Sequence, residues 1–367
     1  MISGNQQGAQ NAKRILLGHL ASFGDCLFAT PIARQIKQDY PGCHLTWAIG
    51  SLYRQAIEEN PYVDEIWEFP LENRRVMDPT WVKFEKEARR RFKQGEFDEV
   101  FFTQINPNNY QNFDGTIRAS ILRGYPNPIT VPVTPILRLR PQEAENVLRF
   151  VERFRISQRR HRILFECASR SGQSNVTPPY AVAVAQQVLQ QIDDCAIILS
   201  SNEKIASPDE RIIDGSLLSI RENAEMTKYC TLFVGCSSGI SWVCTSDWAK
   251  ALPMIQVLSR STSVFASMNH DAEYFGLPNG HIIELTDCPG ERLAECIVQA
   301  LTEPFDAVRA RFHEEIPVEL NLYLEHFLWS VLRRRQIWKA MKSLILVVRR
   351  YGMQPFGRYA KAKLSPA

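Results

Sequence analysis

Several features that mark other protein classes are missing from this sequence. The opening residues, MISGNQQGAQNAK, are polar and contain no apolar stretch behind a basic start, so we predict no secretory signal and a cytoplasmic protein. The longest purely apolar run near the C-terminus, residues 344–348, is far shorter than the ~20 residues that a membrane-spanning helix needs. An integral membrane protein is therefore not expected, whereas peripheral binding to a membrane remains open.

Motifs for metal binding are also lacking. The nine cysteines form no C-x-x-C pair, and no paired-carboxylate D-x-D loop of the metal-dependent kind stands in a suitable place. Several cysteines lie in apolar runs that are typical of strands. We therefore predict no bound metal, and cysteines that are small, reduced core residues.

Acidic residues are absent from the last part of the chain. The whole sequence has a net charge of only +3, but residues 330–367 contain ten Lys and Arg and no Asp or Glu. Apolar and aromatic residues alternate with basic ones over residues 322–363, as in an amphipathic helix that binds an anionic membrane surface. The alternative is a closing helix that crosses back to the N-terminal part of the fold, with its charges in solvent.

The pattern of apolar runs predicts an α/β protein with two lobes. The chain has 367 residues, which suits two domains of roughly 150 residues each plus extensions. Strands alternate with helices, which favours mainly parallel sheets, and the alternation restarts at Arg162 after a proline-rich passage. We predict strands near 14–17, 44–49, 65–69, 99–103, 162–167, 195–200, 231–235, 254–258 and 281–285.

Helices are predicted between these strands. Pro31 either follows Thr30 as an N-cap or kinks a helix that begins at Asp25. Ligands of such sheets lie beyond the carboxyl ends of the strands, so the loops after strands are where a site is expected. Helical or turn segments are predicted near 51–59 and 80–93, and further helices near 143–155, 178–192, 221–229, 240–250 and 290–301.

The loop after the first strand carries the most specific motif. Residues 15–36 read ILLGHLASFGDCLFATPIARQI, with an S-x-G-D loop before a helix, and P-G and N-P-x-V-D follow at 41–42 and 60–64. With three loops of the second half, this opening resembles the ADP-heptose:lipopolysaccharide heptosyltransferases of glycosyltransferase family 9 over about residues 13–300. The resemblance implies a GT-B type α/β fold, with two facing Rossmann-like domains and a basic, helical C-terminal extension.

The resemblance also implies roles for the domains and for the first loop. Asp25 would be the catalytic base that deprotonates the acceptor hydroxyl, with Ser22 and Gly24 in the acceptor loop; a carboxylate suits this task because it is ionised at neutral pH. A helix-capping carboxylate is the alternative interpretation of Asp25. The implied domains are an acceptor domain at 13–140, a linker helix at 141–160, a nucleotide-sugar domain at 161–304, and a closing helix with basic tail at 305–367.

A polar loop at 167–178 occupies the place of the family's G-A-S-x-x-x-K-x-W-P loop. The family's phosphate-contacting Lys has no counterpart here, and Arg170 is predicted to supply the positive charge. An ordinary polar surface loop is the alternative. The donor-binding residues implied in this loop are Ser169, Arg170, Ser171, Gln173 and Asn175.

Two further loops complete the implied donor site. Glu203 stands where the family has a Glu that holds the nucleotide ribose, although a solvated carboxylate at a helix start is the alternative. Residues 232–242, LFVGCSSGISW, resemble the family's V-G-x-D-S-G-P-M-H turn. The family's Asp is replaced by Ser237 and its His by Trp242, which leaves Ser237, Ser238 and Gly239 to cradle phosphate or sugar. The alternative interpretation of Trp242 is that it packs in the core.

These motifs predict an inverting, metal-independent transfer from a nucleotide sugar, with ADP-heptose favoured, to a lipopolysaccharide-type or other cell-surface glycan. A lipid-linked or protein acceptor, as for autotransporter glycosyltransferases, is an alternative. A catalytically silent binding protein is another, since the Lys, Asp and His departures are what loss of catalysis would produce. The nucleotide sugar is expected as co-substrate without a further cofactor, at the inner face of the cytoplasmic membrane. Nucleic acid is not an expected partner.

Overall fold

The computed structural model describes residues 12–107, 109–168, 172–207, 209–262, 265 and 267–364. Its first sheet has four strands in the order β3-β2-β1-β4, and every pair is parallel. Apolar runs such as Ile15–Leu17 are buried because helices cover both faces of a parallel sheet. The strands are β1 (Arg14–Gly18), β2 (His44–Gly50), β3 (Glu65–Phe69) and β4 (Glu99–Phe102).

The second sheet has six strands in the order β10-β9-β8-β5-β6-β7, again with parallel pairing. The strand order changes direction between β5 and β8, and the crevice at such a switch point is where α/β sheets bind ligands. The strands are β5 (His161–Glu166), β6 (Cys195–Ser200), β7 (Ile212–Asp214), β8 (Leu232–Gly235), β9 (Met254–Leu258) and β10 (Ile282–Thr286).

Helices connect the strands and form a C-terminal group. Short 3₁₀ segments occur at Ser51–Ala56, Arg74–Val76 and Tyr110–Asn112, and a π-helical segment at Tyr323–Leu328. The α-helices are α1 (Phe23–Asp39), α2 (Met77–Lys93), α3 (Arg118–Leu122), α4 (Pro141–Arg153), α5 (Pro178–Leu189), α6 (Glu222–Met226), α7 (Gly239–Val243), α8 (Met268–Tyr274), α9 (Gly290–Thr302), α10 (Phe305–Phe312), α11 (Trp329–Arg333), α12 (Ile337–Tyr351) and α13 (Gln354–Leu364).

The predicted fold class is confirmed, and every predicted strand is present. Sequence reasoning missed the three-residue strand β7, which is too short to show a pattern, and the helices α3, α8 and α10. Pro31 lies inside α1, which begins at Phe23. The segment near 51–59, predicted as helical or turn, forms a 3₁₀ helix at Ser51–Ala56, and the helix predicted at 240–250 ends at Val243. The domain boundaries stay predictions.

The segment after α10 returns to the first lobe and packs on it. The Ser343 hydroxyl in α12 donates to the Phe113 carbonyl at 2.6 Å and lies 2.9 Å from the Tyr323 hydroxyl. The Arg350 guanidinium contacts Asp114 at 2.8 Å. The interpretation of this stretch as a closing element that crosses back is therefore supported, with α12 on the surface of the first lobe.

All nine cysteines are buried and unbridged. Cys167, Cys236 and Cys296, for example, pack in the apolar core of the second lobe. Burial raises the pKa of the Cys195 thiol to about 12, which keeps it protonated and unreactive at neutral pH. Their assignment as core residues is confirmed.

Candidate active site

A cleft of about 860 Å³ lies between the two sheets and is lined by loops of both lobes. The first lobe contributes residues after β1, β2 and β3, and the second lobe contributes residues after β5, β6, β7 and β8. These loops leave the carboxyl ends of the strands, where the backbone geometry of parallel sheets places ligand sites. The lining residues from the two central loops are Ser22, Phe23, Gly24, Ser238, Gly239 and Ile240.

The loops after β1 and β8 meet across this cleft. A Cβ atom on Gly24 would lie 3.7 Å from Cδ1 of Trp242 and 4.0 Å from Cα of Gly239. Behind them the Phe28 and Trp242 rings make an edge contact at 4.4 Å between centroids. Trp242 is thus part of the packing between the lobes, as its core interpretation predicted, and the Ser22–Gly24 and Ser238–Gly239 turns share one crevice.

Asp25 lies in the first turn of α1, directly behind the cleft-lining residues. Its carboxylate accepts the Ser22 backbone N–H at 3.3 Å, so it also caps the helix as the alternative interpretation held. Burial raises the pKa of Asp25 to about 6, against hydrogen bonds from Ser22 and the positive charge of Arg74. A carboxylate with this pKa can take up a proton and release it again near neutral pH, as a general base requires.

The loop that leads into α1 and Asp25 is fixed by hydrogen bonds from two residues that follow β4. The Gln104 side-chain oxygen accepts the Leu20 and Ala21 backbone N–H groups at 2.7 and 3.0 Å. The His19 Nδ1 atom lies 2.9 Å from the Thr103 hydroxyl, and burial lowers the pKa of His19 to about 3. Neutral His19 and Gln104 therefore fix the start of the loop without adding charge beneath the cleft.

A buried carboxyl group organises the opposite turn. Glu166 ends β5, and its Oε2 atom accepts the Cys236 N–H at 2.9 Å and the Ser241 hydroxyl at 2.6 Å. Its Oε1 atom accepts the Ser238 hydroxyl. The Ser237 N–H donates to Oε1 of Gln256 at 2.8 Å, and Ser237 has a φ of 51°. Sequence reasoning missed Glu166, because its partners belong to a turn and a helix start that lie 70 or more residues further along the chain.

The other predicted donor residues are placed less centrally. Asn175 donates to Asp287 at 3.1 Å, and Gln173 is buried; neither belongs to the residues that line the cleft. Glu203 is exposed next to the lining residues Ser201 and Asn202. Ser169, Arg170 and Ser171 lie outside the described residues, although the preceding Ala168 lines the cleft. The donor roles of these residues stay predictions.

The fold of this chain is similar to the folds of several solved structures. The glycosyltransferase family 9 protein from Veillonella parvula DSM 2008 aligns with a TM-score of 0.59 at 14% identity, covering 80% of this chain and 98% of that one. The E. coli ADP-heptose lps heptosyltransferase II aligns with a TM-score of 0.52 at 12% identity, covering 79% and 98%. This chain has the GT-B fold. The resemblance predicted from its sequence is confirmed at the level of fold.

No family model matches the chain, and no curated protein matches its sequence. The GT-B fold is therefore recognised through strand order and lobe arrangement, while the site has to be interpreted from its own residues. Three lining residues that sequence reasoning missed are Glu72, Asn73 and Arg74, from the loop between β3 and α2. No motif marks this loop, and only the position of β3 at the sheet edge brings it to the cleft.

Two buried arginines join the lobes of this GT-B protein. Arg118 of α3 pairs with Asp271 of α8 at 2.7 Å and lies over the rings of Phe28 and Trp242 at 5.1 and 5.0 Å. Arg221, 1% exposed, pairs with Glu143 at 2.7 Å and donates to the Gln55 carbonyl at 2.6 Å. Such contacts hold the cleft walls in a fixed relation.

The described residues contain neither a metal-binding group of side chains nor a membrane-spanning helix. In the part of the chain that the structure describes, no three His, Cys, Asp or Glu side chains are grouped to hold a metal ion. Within the same residues, no helix has the length and apolar character needed to span a bilayer. Metal independence stays a prediction.

Proposed function

We propose that this chain is an inverting glycosyltransferase that moves a sugar, with heptose favoured, from a nucleotide sugar to a cell-surface glycan of the lipopolysaccharide type. The proposal depends on one observation: Asp25, whose pKa is raised to about 6, lies behind a cleft wall that faces the Ser238–Gly239 turn of the other lobe. The solved neighbours that carry the GT-B comparison include an ADP-heptose heptosyltransferase, which supports this choice of donor.

In the proposed reaction, the Asp25 carboxylate takes the proton of an acceptor hydroxyl. The acceptor oxygen forms a bond to the anomeric carbon as the bond from that carbon to the diphosphate oxygen breaks. The nucleoside diphosphate leaves with the electron pair, and the configuration at the anomeric carbon is inverted. No covalent enzyme intermediate is needed, so one carboxylate is sufficient.

The leaving diphosphate requires positive charge or hydrogen-bond donors. Arg74 is the cation among the described residues that line the cleft, and it is exposed toward solvent. The hydroxyl groups of Ser201 and Ser219 and the amide of Asn202 lie in the same lining. These groups suit a diphosphate better than a neutral ligand, because preorganised donors stabilise charge as it develops.

The experiment compares Asp25→Asn with wild type in a transfer assay that uses a panel of nucleotide sugars and a truncated lipopolysaccharide acceptor. We expect wild type to transfer with one donor, and Asp25→Asn to lose at least 100-fold in kcat while it still binds that donor. Asp306→Asn is the matched control, because Asp306 is an exposed aspartate in the first turn of α10, which does not line the cleft. Full activity of Asp25→Asn, or no transfer by wild type from any donor, contradicts the proposal.

The basic C-terminal part supports peripheral binding at an anionic membrane. On α12 the exposed Ile337, Trp338, Met341 and Ile345 share one face, and Ala340, Ser343 and Val347 on the opposite face are buried against the protein. Lys342 and Arg349 border the exposed face. An apolar stripe beside basic residues is the arrangement of interfacial helices.

Vesicle sedimentation tests this part of the proposal. We expect binding to vesicles that contain phosphatidylglycerol, weaker binding at high salt, and little binding to neutral phosphatidylcholine. The double change Trp338→Ala, Ile345→Ala should weaken binding, whereas Val82→Ala, at an apolar side chain that is 64% exposed on α2, should not. Equal sedimentation with both vesicle types would contradict a membrane role for α12.

A further inference from the structure

The contacts of Glu166 define the hydrogen-bonding character of one wall of the cleft. Glu166 is fully buried at the carboxyl end of β5, where the strand order of the second sheet reverses. Its partners are neutral donors: the backbone N–H groups of Cys236 and Ser238 and the hydroxyl groups of Ser238 and Ser241. Of these partners, only Ser238 also lines the cleft.

The direction of the Ser238 hydrogen bond matters for any ligand. A serine hydroxyl has one proton and two lone pairs, and the Ser238 proton is donated to Oε1 of Glu166. The oxygen therefore presents only lone pairs to the cleft. Because the acceptor of its proton is a carboxyl group, the hydroxyl is polarised and becomes a stronger hydrogen-bond acceptor.

A phosphate cannot satisfy such an oxygen at neutral pH. Phosphate oxygens are acceptors, so a diphosphate at this point would face the lone pairs of the Ser238 oxygen and would receive no proton from that hydroxyl. A sugar hydroxyl donates and fits. The Ser238–Gly239 turn is also close to the Ser22–Gly24 turn that precedes Asp25, since a Cβ on Gly239 would lie 3.5 Å from the Phe23 ring.

We propose that Ser238 accepts a hydrogen bond from a hydroxyl of the sugar being transferred, and that Glu166 is the positioning residue that makes Ser238 an acceptor. This inference rests on the proposed function and deepens it. The sequence pattern left open whether this turn holds phosphate or sugar; the Glu166 contact favours sugar. The diphosphate is then left to the wall that contains Arg74 and Ser201.

Calorimetric titration with ADP and ADP-heptose, and in parallel with UDP and UDP-glucose, tests the proposal. In Ser238→Ala we expect 5-fold to 10-fold weaker binding of the nucleotide sugar that wild type binds, the usual effect of one lost hydrogen bond. The matching nucleoside diphosphate should bind within about twofold of wild type. Ser238→Thr should restore sugar binding, because it keeps the hydroxyl.

Glu166→Gln should lower the sugar affinity in the same selective way, since an amide oxygen is a weaker acceptor of the Ser238 proton. Ser246→Ala is the control, because this buried α7-adjacent serine donates to the Val243 carbonyl at 2.7 Å and does not line the cleft. Thermal unfolding shows whether the Glu166→Gln protein is folded. If it is not folded, the titrations of Ser238→Ala alone decide whether the inference holds.

The outcomes separate this inference from the function on which it rests. Equal weakening of nucleotide sugar and nucleoside diphosphate in Ser238→Ala would mean that the turn holds phosphate or ribose and would overturn the inference alone. Unchanged binding of both ligands would do the same. Wild type that binds none of the four ligands would overturn the proposed function, and the inference with it.

Discussion

The pH dependence of transfer is the most direct consequence of the environment of Asp25. Its pKa is raised to about 6 by burial, so roughly one tenth of the protein has an ionised base at pH 5 and about nine tenths at pH 7. We expect kcat/KM at low acceptor concentration to rise about tenfold over this range and to level off above pH 7, because only the ionised carboxylate accepts the proton.

The charge of Arg74 provides an internal test of this assignment. Arg74 lowers the pKa of Asp25, so Arg74→Gln should move the rising limb to higher pH. An attraction of ~1 kcal/mol, typical of charges a few Å apart in water, corresponds to ~0.7 pH unit. The difference between the two proteins should shrink at 0.5 M salt because exposed charges are screened.

Arg75→Gln is the matched control for this shift, since Arg75 is the exposed neighbour and is not among the charges that perturb Asp25. Its profile should coincide with that of wild type. The assay is the initial rate of sugar transfer from pH 5 to 8.5, with the donor at saturation. A flat profile between pH 5 and 7, or the same midpoint in wild type and Arg74→Gln, would refute the role of Asp25 as the base.

Two changes test the packing between and beneath the lobes. Arg118→Met should lower the free energy of unfolding by about 3–5 kcal/mol, because it leaves the Asp271 carboxylate buried without its partner; denaturant titration measures this, and a loss below 1 kcal/mol would argue against a buried ion pair. Gly235→Ala should cost about 1–3 kcal/mol by the same measurement, because the new Cβ would lie 2.5 Å from the side chains of Gln256 and Ser241; wild-type stability would show that the turn can shift.

Much of the fold was predictable because buried parallel strands are continuous apolar runs. Residues 195–200 and 254–258 were predicted as strands with the same bounds that the structure has. Strand β7 was missed because three residues at a sheet edge depend on pairing with β6 rather than on their own pattern. Local pattern thus predicts the central strands, and tertiary contacts determine the edges.

The site was predictable only where a local motif marks it. Asp25 and the Ser238–Gly239 turn were found through their motifs. Glu166 appears in the sequence as the last residue of an apolar strand, and its role depends on the pairing of β5 with β8. Arg74 lies in an unmarked loop and reaches the cleft only because β3 pairs with β2 at the sheet edge. Long-range pairing of this kind has no local signature.

The return of residues 323–364 to the first lobe affects the order in which the two lobes complete their folding during synthesis. During synthesis the four-stranded sheet emerges first, yet the groups that cover Phe113 and pair with Asp114 leave the ribosome only after all strands of the second sheet. The second sheet can complete its core before then. We therefore expect ribosome-bound chains to hold a finished second lobe beside a first lobe that still exposes apolar surface, which makes the first lobe the part that chaperones would protect.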